Sequence, residues 1–145
     1  MANIIPDAFK SELLKGTHNF AASGGNTFKI ALYVTTLGPP YTTSSTVYST
    51  SNEVSSSGTG YTTGGNTLTN LGVSVPGSNT AIVDFDNEVF SSVTLTSLGA
   101  AIYNTSSSSK LCLVIDFGGD KVATSGDFTI QFPAATAGAA IIRVA

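Results

Sequence analysis

The chain has 145 residues, a formal net charge of −3, one His, one Cys and no Trp. A domain of this length buries roughly 70% of the surface its unfolded form exposes, so one core suffices and no disulfide is needed. Only 10% of the residues are charged, against about 25% in an ordinary soluble domain, and hydroxyl side chains fill the deficit. The six Lys and Arg, at positions 10, 15, 29, 110, 121 and 143, form no basic stripe, which argues against direct nucleic-acid binding. Acid–base and nucleophilic catalysis need at least two titratable groups brought into one pocket. With one imidazole and one thiol, the expectation is a protein that is not an enzyme and needs no cofactor or metal. The uninterrupted apolar runs are far shorter than the ~20 residues that span a bilayer, so no membrane partner is expected. The start, Met1-Ala2-Asn3-Ile4-Ile5-Pro6-Asp7, lacks the basic and apolar regions of a secretory signal, which predicts assembly in a cytoplasm.

In chain order, the first element is a short helix in Pro6-Asp7-Ala8-Phe9-Lys10-Ser11-Glu12-Leu13-Leu14-Lys15-Gly16. Pro and Asp mark its entry, Lys15 its last turn, and Gly16 is the candidate left-handed stop. Phe9, Leu13 and Leu14 give it an apolar face. At about 9 residues it cannot persist alone and must dock. The period then becomes alternating: Phe28, Ile30, Leu32 and Val34 share one face of a strand. A polar tract over 38–66 reads as loop, with Gly58-Thr59-Gly60-Tyr61-Thr62-Thr63-Gly64-Gly65 as a tight turn leading into a strand rather than a phosphate cradle. Strand signals follow at 67–69 and at Leu71, Val73 and Val75, with a change of inward parity across Asn70-Leu71 that predicts a bulge. Further alternating runs lie at 81–85, 93–95, 100–102, 128–132 and 140–144. Residues 111–117 are apolar on both parities, which predicts a central strand covered on both sides. Turns are expected at Pro76-Gly77-Ser78-Asn79, Ser106-Ser107-Ser108-Ser109 and Gly118-Gly119-Asp120. The sum is a mainly β chain: an antiparallel β-sandwich or barrel-like domain of about eight strands with one short N-terminal helix. It forms a single domain over 1–145, with 1–16 as N-terminal arm and helix and 28–145 as the sandwich.

The candidate chemical groups are few. Cys112, inside Leu111-Cys112-Leu113-Val114-Ile115, reads as a small buried hydrophobe. His18 has no acidic or thiol companion close in sequence and reads as a capped or exposed loop imidazole. The carboxylate groups Asp84/Asp86 and Asp116/Asp120 match no cation-binding pattern and are expected to close turns on local backbone N–H groups. Asn104-Thr105-Ser106 satisfies the glycosylation pattern without a secretory context to give it meaning.

Several segments together resemble a family of small structural proteins of tailed-bacteriophage virions. They are Phe9-Lys10-Ser11-Glu12-Leu13-Leu14-Lys15-Gly16, Phe28-Lys29-Ile30-Ala31-Leu32-Tyr33, Tyr48-Ser49-Thr50-Ser51-Asn52-Glu53-Val54, the glycine-rich 58–65 turn, Ala100-Ala101-Ile102-Tyr103-Asn104, Ile115-Asp116-Phe117-Gly118-Gly119-Asp120-Lys121, Phe128-Thr129-Ile130-Gln131-Phe132-Pro133 and Ile141-Ile142-Arg143. The resemblance implies a non-enzymatic virion component, foremost a capsid decoration or cement protein on the outside of the head. Its partners would be the major capsid protein and copies of itself, a trimer at local three-fold points being one arrangement that fits. The apolar N-terminal segment, with Ile4, Ile5, Phe9, Leu13 and Leu14, is the candidate subunit contact. The other readings are a tail, baseplate or fibre component and a carbohydrate-binding β-sandwich presenting Tyr41 or Tyr61 to sugars.

Overall fold

The computed structural model describes residues 3–34, 41–77 and 79–145. The expected Gly38, Pro39 and Pro40 breaker, and Ser78 of the expected 76–79 turn, lie outside the described residues. Among the described residues one helix, α1 (Asp7–Leu14), precedes seven strands: β1 (Phe28–Tyr33), β2 (Asn66–Thr67), β3 (Asn70–Gly77), β4 (Thr80–Phe85), β5 (Glu88–Asn104), β6 (Lys110–Ile130) and β7 (Ile142–Val144). They form two antiparallel sheets, one ordered β2-β1-β5-β6 and the other β3-β4-β7.

The helix boundaries follow local chemistry. Pro6 is the N-cap and Lys15 the C-cap. Gly16, at φ +72°, turns the chain so that Gly16 N–H donates to Leu13 C=O (3.1 Å) and Thr17 N–H to Glu12 C=O (2.9 Å). This pair of bonds is the Schellman stop, in which a residue free to adopt positive φ satisfies the last carbonyls. The helix turns Phe9 inward, where it is 1% exposed.

The seven strands of the described residues are close to the expected count of about eight, and two pairs of the predicted runs are continuous. The runs at 93–95 and 100–102 both belong to β5, and those at 111–117 and 128–132 largely to β6. Together β5 and β6 make one long hairpin closed by the expected serine turn, with a 3₁₀ turn at Thr105–Ser107. The predicted turn at Gly118-Gly119-Asp120 is instead a bulge inside β6. Gly99 pairs with Asp116 while Ser97 pairs with Lys121, so residues 117–120 loop out between them. Bulges bend a ribbon without ending it. The bulge expected at Asn70-Leu71 is present as a register shift between Asn70 and Gly72. Of the stretch expected to be covered on both sides, residues 111–114 are buried and 115–117 are partly exposed, and β6 is an edge strand while β5 and β1 are the central ones. The two side-chain clusters bury its faces, with Cys112 and Leu113 in one and Leu111 and Val114 in the other, and Ile4 and Val47 bridge to Val114 and Lys110 along its edge.

The four-stranded sheet carries an apolar cluster on each face. Between the two sheets lies the main core, which holds Phe9, Phe20, Phe28, Phe85, Phe90, Phe128 and Phe132, with Phe117 packed against it. Phe20 stacks on Phe28 at 4.4 Å and Phe28 meets Phe85 edge-on at 5.9 Å. Such pairs add about 0.5–1.5 kcal/mol beyond area burial. The opposite face, carrying Ala31, Tyr33, Ala101 and Tyr103, supports a second cluster with Tyr41. The 41–65 loop folds back over that face.

Candidate functional site

The turn after α1 carries His18 back beneath the helix. There it is 6% exposed, with its ring 4.9 Å from that of Phe9, which corrects the expectation of a capped or exposed loop imidazole. Its Nε2 lies 2.8 Å from Glu12 Oε2, and its Nδ1 lies 3.0 Å from Asn104 Nδ2. The Asn104 amide orientation is fixed independently: Oδ1 accepts from Ser106 N–H, and Nδ2 also donates to Asn26 Oδ1. Nδ1 must therefore accept and Nε2–H donate, a tautomer assigned from the network. Glu12 Oε1 accepts from Lys110 Nζ at 2.7 Å. Burial acts to raise the Glu12 carboxyl, but hydrogen bonds from Lys110 and His18 and the Lys110 charge outweigh it, leaving the net shift downward.

Cys112 completes what resembles a thiol–imidazole–carboxylate line, with Sγ 3.8 Å from His18 Nδ1. The geometry is that of a structural pin. The thiol is 0% exposed, as the sequence predicts, and burial followed by the Glu12 charge pushes it well above its ordinary range, which disfavours the thiolate. The Nδ1 lone pair that would take its proton is engaged by Asn104. The same burial, 0% exposed, closes the glycosylation pattern at Asn104.

All five tyrosines converge around a residue the sequence does not single out, Glu53. Its Oε2 accepts from Tyr48 Oη at 2.5 Å, and its Oε1 accepts from Tyr61 Oη at 2.6 Å and from Gly64 N–H at 2.7 Å. Tyr61 Oη also accepts from Leu32 N–H, closing part of the β1 edge. Tyr103 donates to Gly64 C=O at 2.6 Å and stacks on Tyr48 at 4.3 Å. Tyr33 donates to Ser49 C=O, and Tyr41 accepts from Ser49 N–H while its Oη lies 2.7 Å from that of Tyr33. Gly65 is required here: it sits at φ +72°, and a Cβ would fall 1.8 Å from Ile30 O. Tyr41 and Tyr61 are 8% and 3% exposed, so neither offers the ring face that a sugar platform needs.

Burial raises all five phenols, most for Tyr33, Tyr48 and Tyr61, and pushes Tyr103 up to about 12. A folded pKa above the unfolded value of 10.0 contributes stability that is complete below that value and is lost as pH rises through the folded pKa. Phenolate absorbance should therefore stay near zero up to about pH 10 and rise cooperatively with loss of β-sheet circular dichroism above it. Non-cooperative titration at pH 10 in the folded protein would show that the cluster is open.

The five predicted contact residues divide. Phe9 is taken up by the chain's own core, and Leu13 packs against it. Ile4 exchanges backbone hydrogen bonds with Val114, at 3.0 and 2.8 Å. Ile5 and Leu14 remain 47% and 92% exposed. The helix thus docks on its own domain, and only its last leucine projects fully.

Beside that leucine is an open apolar groove the sequence reading does not foresee. Val83 and Ile142 are buried in the core, but on the same three-stranded sheet Leu71, Val73 and Val144 are 52–59% exposed. With Leu13, Phe20 and Ala22 these residues line a groove of about 740 Å³, and no Asp, Glu, Lys or Arg lines it. A second groove, about 550 Å³, lies against β6 between Phe117, Phe128 and Ile141 and carries Lys121 and Asp127.

The carboxylate groups behave as turn closers where their contacts are defined: Asp86 Oδ1 accepts from Asn87 N–H, and Asp116 Oδ1 from Gly118 N–H. Among the described residues, no group of three or more His, Cys, Asp or Glu converges as a cation site would require. Nor, among them, is any helix long and apolar enough to cross a membrane. Comparison with protein-family models, curated proteins and solved structures finds no match.

Proposed function

We propose that this chain is a structural protein of a tailed-phage virion, acting by contact as a decoration or cement protein on the outside of the head. The observation that carries the reading is the division of labour among its side chains. The only imidazole, the only thiol and four of the five phenols are buried, Tyr48 is half-buried, and all are bonded within the fold, while an uncharged apolar face is left open. Exposed apolar surface of this kind marks association sites. The family resemblance of the 9–16, 28–33 and 115–121 segments directs it to a virion. A shell protein present at every lattice point strengthens the shell by summing modest contacts.

The test is co-sedimentation of the purified protein with expanded phage heads that lack it, with copy number read from a stained gel. Saturation at hundreds of copies per head, with heads surviving higher temperature, is the expected result. Saturation at a few tens would move the protein to the tail, baseplate or fibre, and failure to bind any phage particle would refute the virion reading.

A further inference from the structure

We infer that the last stretch of the β6 edge, around Thr129, accepts an added strand: an extended segment of a partner polypeptide, with alternating apolar side chains and a carboxylate, pairs with Thr129 and lies in the groove lined by Phe117, Phe128 and Ile141. The inference goes beyond the virion reading and does not depend on it.

The direction of the backbone groups follows from two contacts made outside the ladder. In an antiparallel pair, opposed residues alternate between exchanging both backbone bonds and turning both groups away from each other. Val89 is opposite Thr129, yet Val89 C=O accepts from Asn66 Nδ2 at 3.2 Å. Asn66 belongs to β2, which lies on the other side of β5 from β6. Phe132 N–H donates to Asn87 Oδ1 at 3.0 Å, toward β5, and by alternation Ile130 and Phe128 face β5 as well. Thr129 therefore points its N–H and C=O out of the sheet. No strand flanks β6 there, and among the described residues neither group has a hydrogen-bond partner.

Elsewhere along this edge the chain closes itself. Ile4 exchanges backbone bonds with Val114, Asn3 Oδ1 takes Asp116 N–H, and Asp116 Oδ1 takes Gly118 N–H. The 117–120 bulge and Ser125, at φ +47°, break the next part, devices that blunt an edge against addition of a strand. Phe128, Thr129 and Ile130 keep an unbroken register with Phe90, Val89 and Glu88. The arm also shows how this edge is used: Ile4 pairs through its backbone while its side chain packs against an apolar cluster.

The hollow beside Thr129 has the shape and chemistry for a longer segment of that kind. Every residue from Asp127 to Pro133 lines the groove of about 550 Å³. Successive residues of a strand point to opposite faces, so a groove touching both sets runs along the edge. Ile115, Phe117 and Ile141, each only partly buried, line it too. A strand added at the usual spacing of about 4.8 Å brings alternate side chains against them. A free N–H and C=O on one residue are matched together by an extended chain, which presents both groups at strand spacing. Lys121 lines the same groove and has no ion-pair or hydrogen-bond partner among the described residues, whereas Asp127 Oδ1 accepts from Ser92 N–H. The unpaired charge is thus positive and complements a carboxylate.

The probes are four capped pentapeptides, Glu-X-Thr-X-Thr with X as Val, Ile, Leu or Phe, titrated to about 5 mM against the isotope-labelled full chain and read by amide resonances. At least one should shift the Phe128, Thr129 and Ile130 signals saturably and slow hydrogen exchange at Thr129 at least about threefold. Methylating the peptide nitrogens of alternate residues gives two isomers, and the one blocked on its bonding side should bind at least about tenfold more weakly. Lys121→Glu should weaken binding at least about threefold with the melting temperature retained. Thr129→Pro removes the outward donor and leaves the β5 ladder intact, so it should fold and lose binding. If it does not fold, the methylated isomers and Lys121→Glu decide. The inference is overturned if no peptide perturbs Thr129, if both methylated isomers bind like the parent, or if only the Phe117 and Ile141 signals respond. Peptide binding by a chain that joins no phage particle defeats the virion reading alone.

Discussion

Replacing Glu53 with alanine should lower the free energy of unfolding by about 3–5 kcal/mol, measured by urea denaturation. The carboxylate accepts from Tyr48, Tyr61 and Gly64, so truncation strands three donors at once. Each buried donor left without a partner costs about 1–3 kcal/mol, reduced where water can enter the half-buried site. Against a total of about 5–15 kcal/mol for a domain, the loss is large. Glu53→Gln should cost less, about 1–2 kcal/mol, because its amide oxygen still accepts. It should also let the tyrosines ionise at lower pH, since the Glu53 charge is one of the causes that raise them. A loss below about 1 kcal/mol for the alanine variant would mean that the 41–65 loop is held by something else.

Glu12→Ala should cost about 2–4 kcal/mol by the same measurement, because it leaves His18 Nε2–H buried without an acceptor and frees Lys110. Lys110→Ala should cost under about 1 kcal/mol, since that side chain is 35% exposed and His18 still satisfies Glu12. The pH dependence follows from the sign of the shift. The Glu12 carboxyl lies below its ordinary value of 4.5 in the folded chain, so its contribution is complete above that value and is lost as pH falls through the folded pKa. Wild-type and Glu12→Ala stabilities should therefore converge in acid. A constant gap between them would show that the carboxylate charge is not what matters.

Period-2 patterning made the sheets legible. Phe28, Ile30 and Leu32 point into the core as their alternation demands, and Gly16 stops the helix at its expected place. Strand continuity was less legible, because Gly118-Gly119 reads as a turn whether it ends a strand or bulges within one. The polar clusters were hidden for a different reason. Glu12 and His18 are six residues apart but on opposite sides of a left-handed turn, and their further partners are Asn104, Lys110 and Cys112. The tyrosines, at 33, 41, 48, 61 and 103, meet only through tertiary folding. Leu14 was legible as apolar; that it would stay 92% exposed was not, because Phe9 and Leu13 are the helix apolars taken up by the core.

The pinned 41–65 loop bears on how this exterior meets other molecules. Loop surfaces ordinarily surrender freedom when they are gripped, and that loss subtracts from affinity. Here much of the ordering has already occurred during folding, through phenols fastened to Glu53, Ser49 and Gly64. A weak contact made by so stiff a rind keeps more of its strength, and a layer tiled from such units would resist swelling from within.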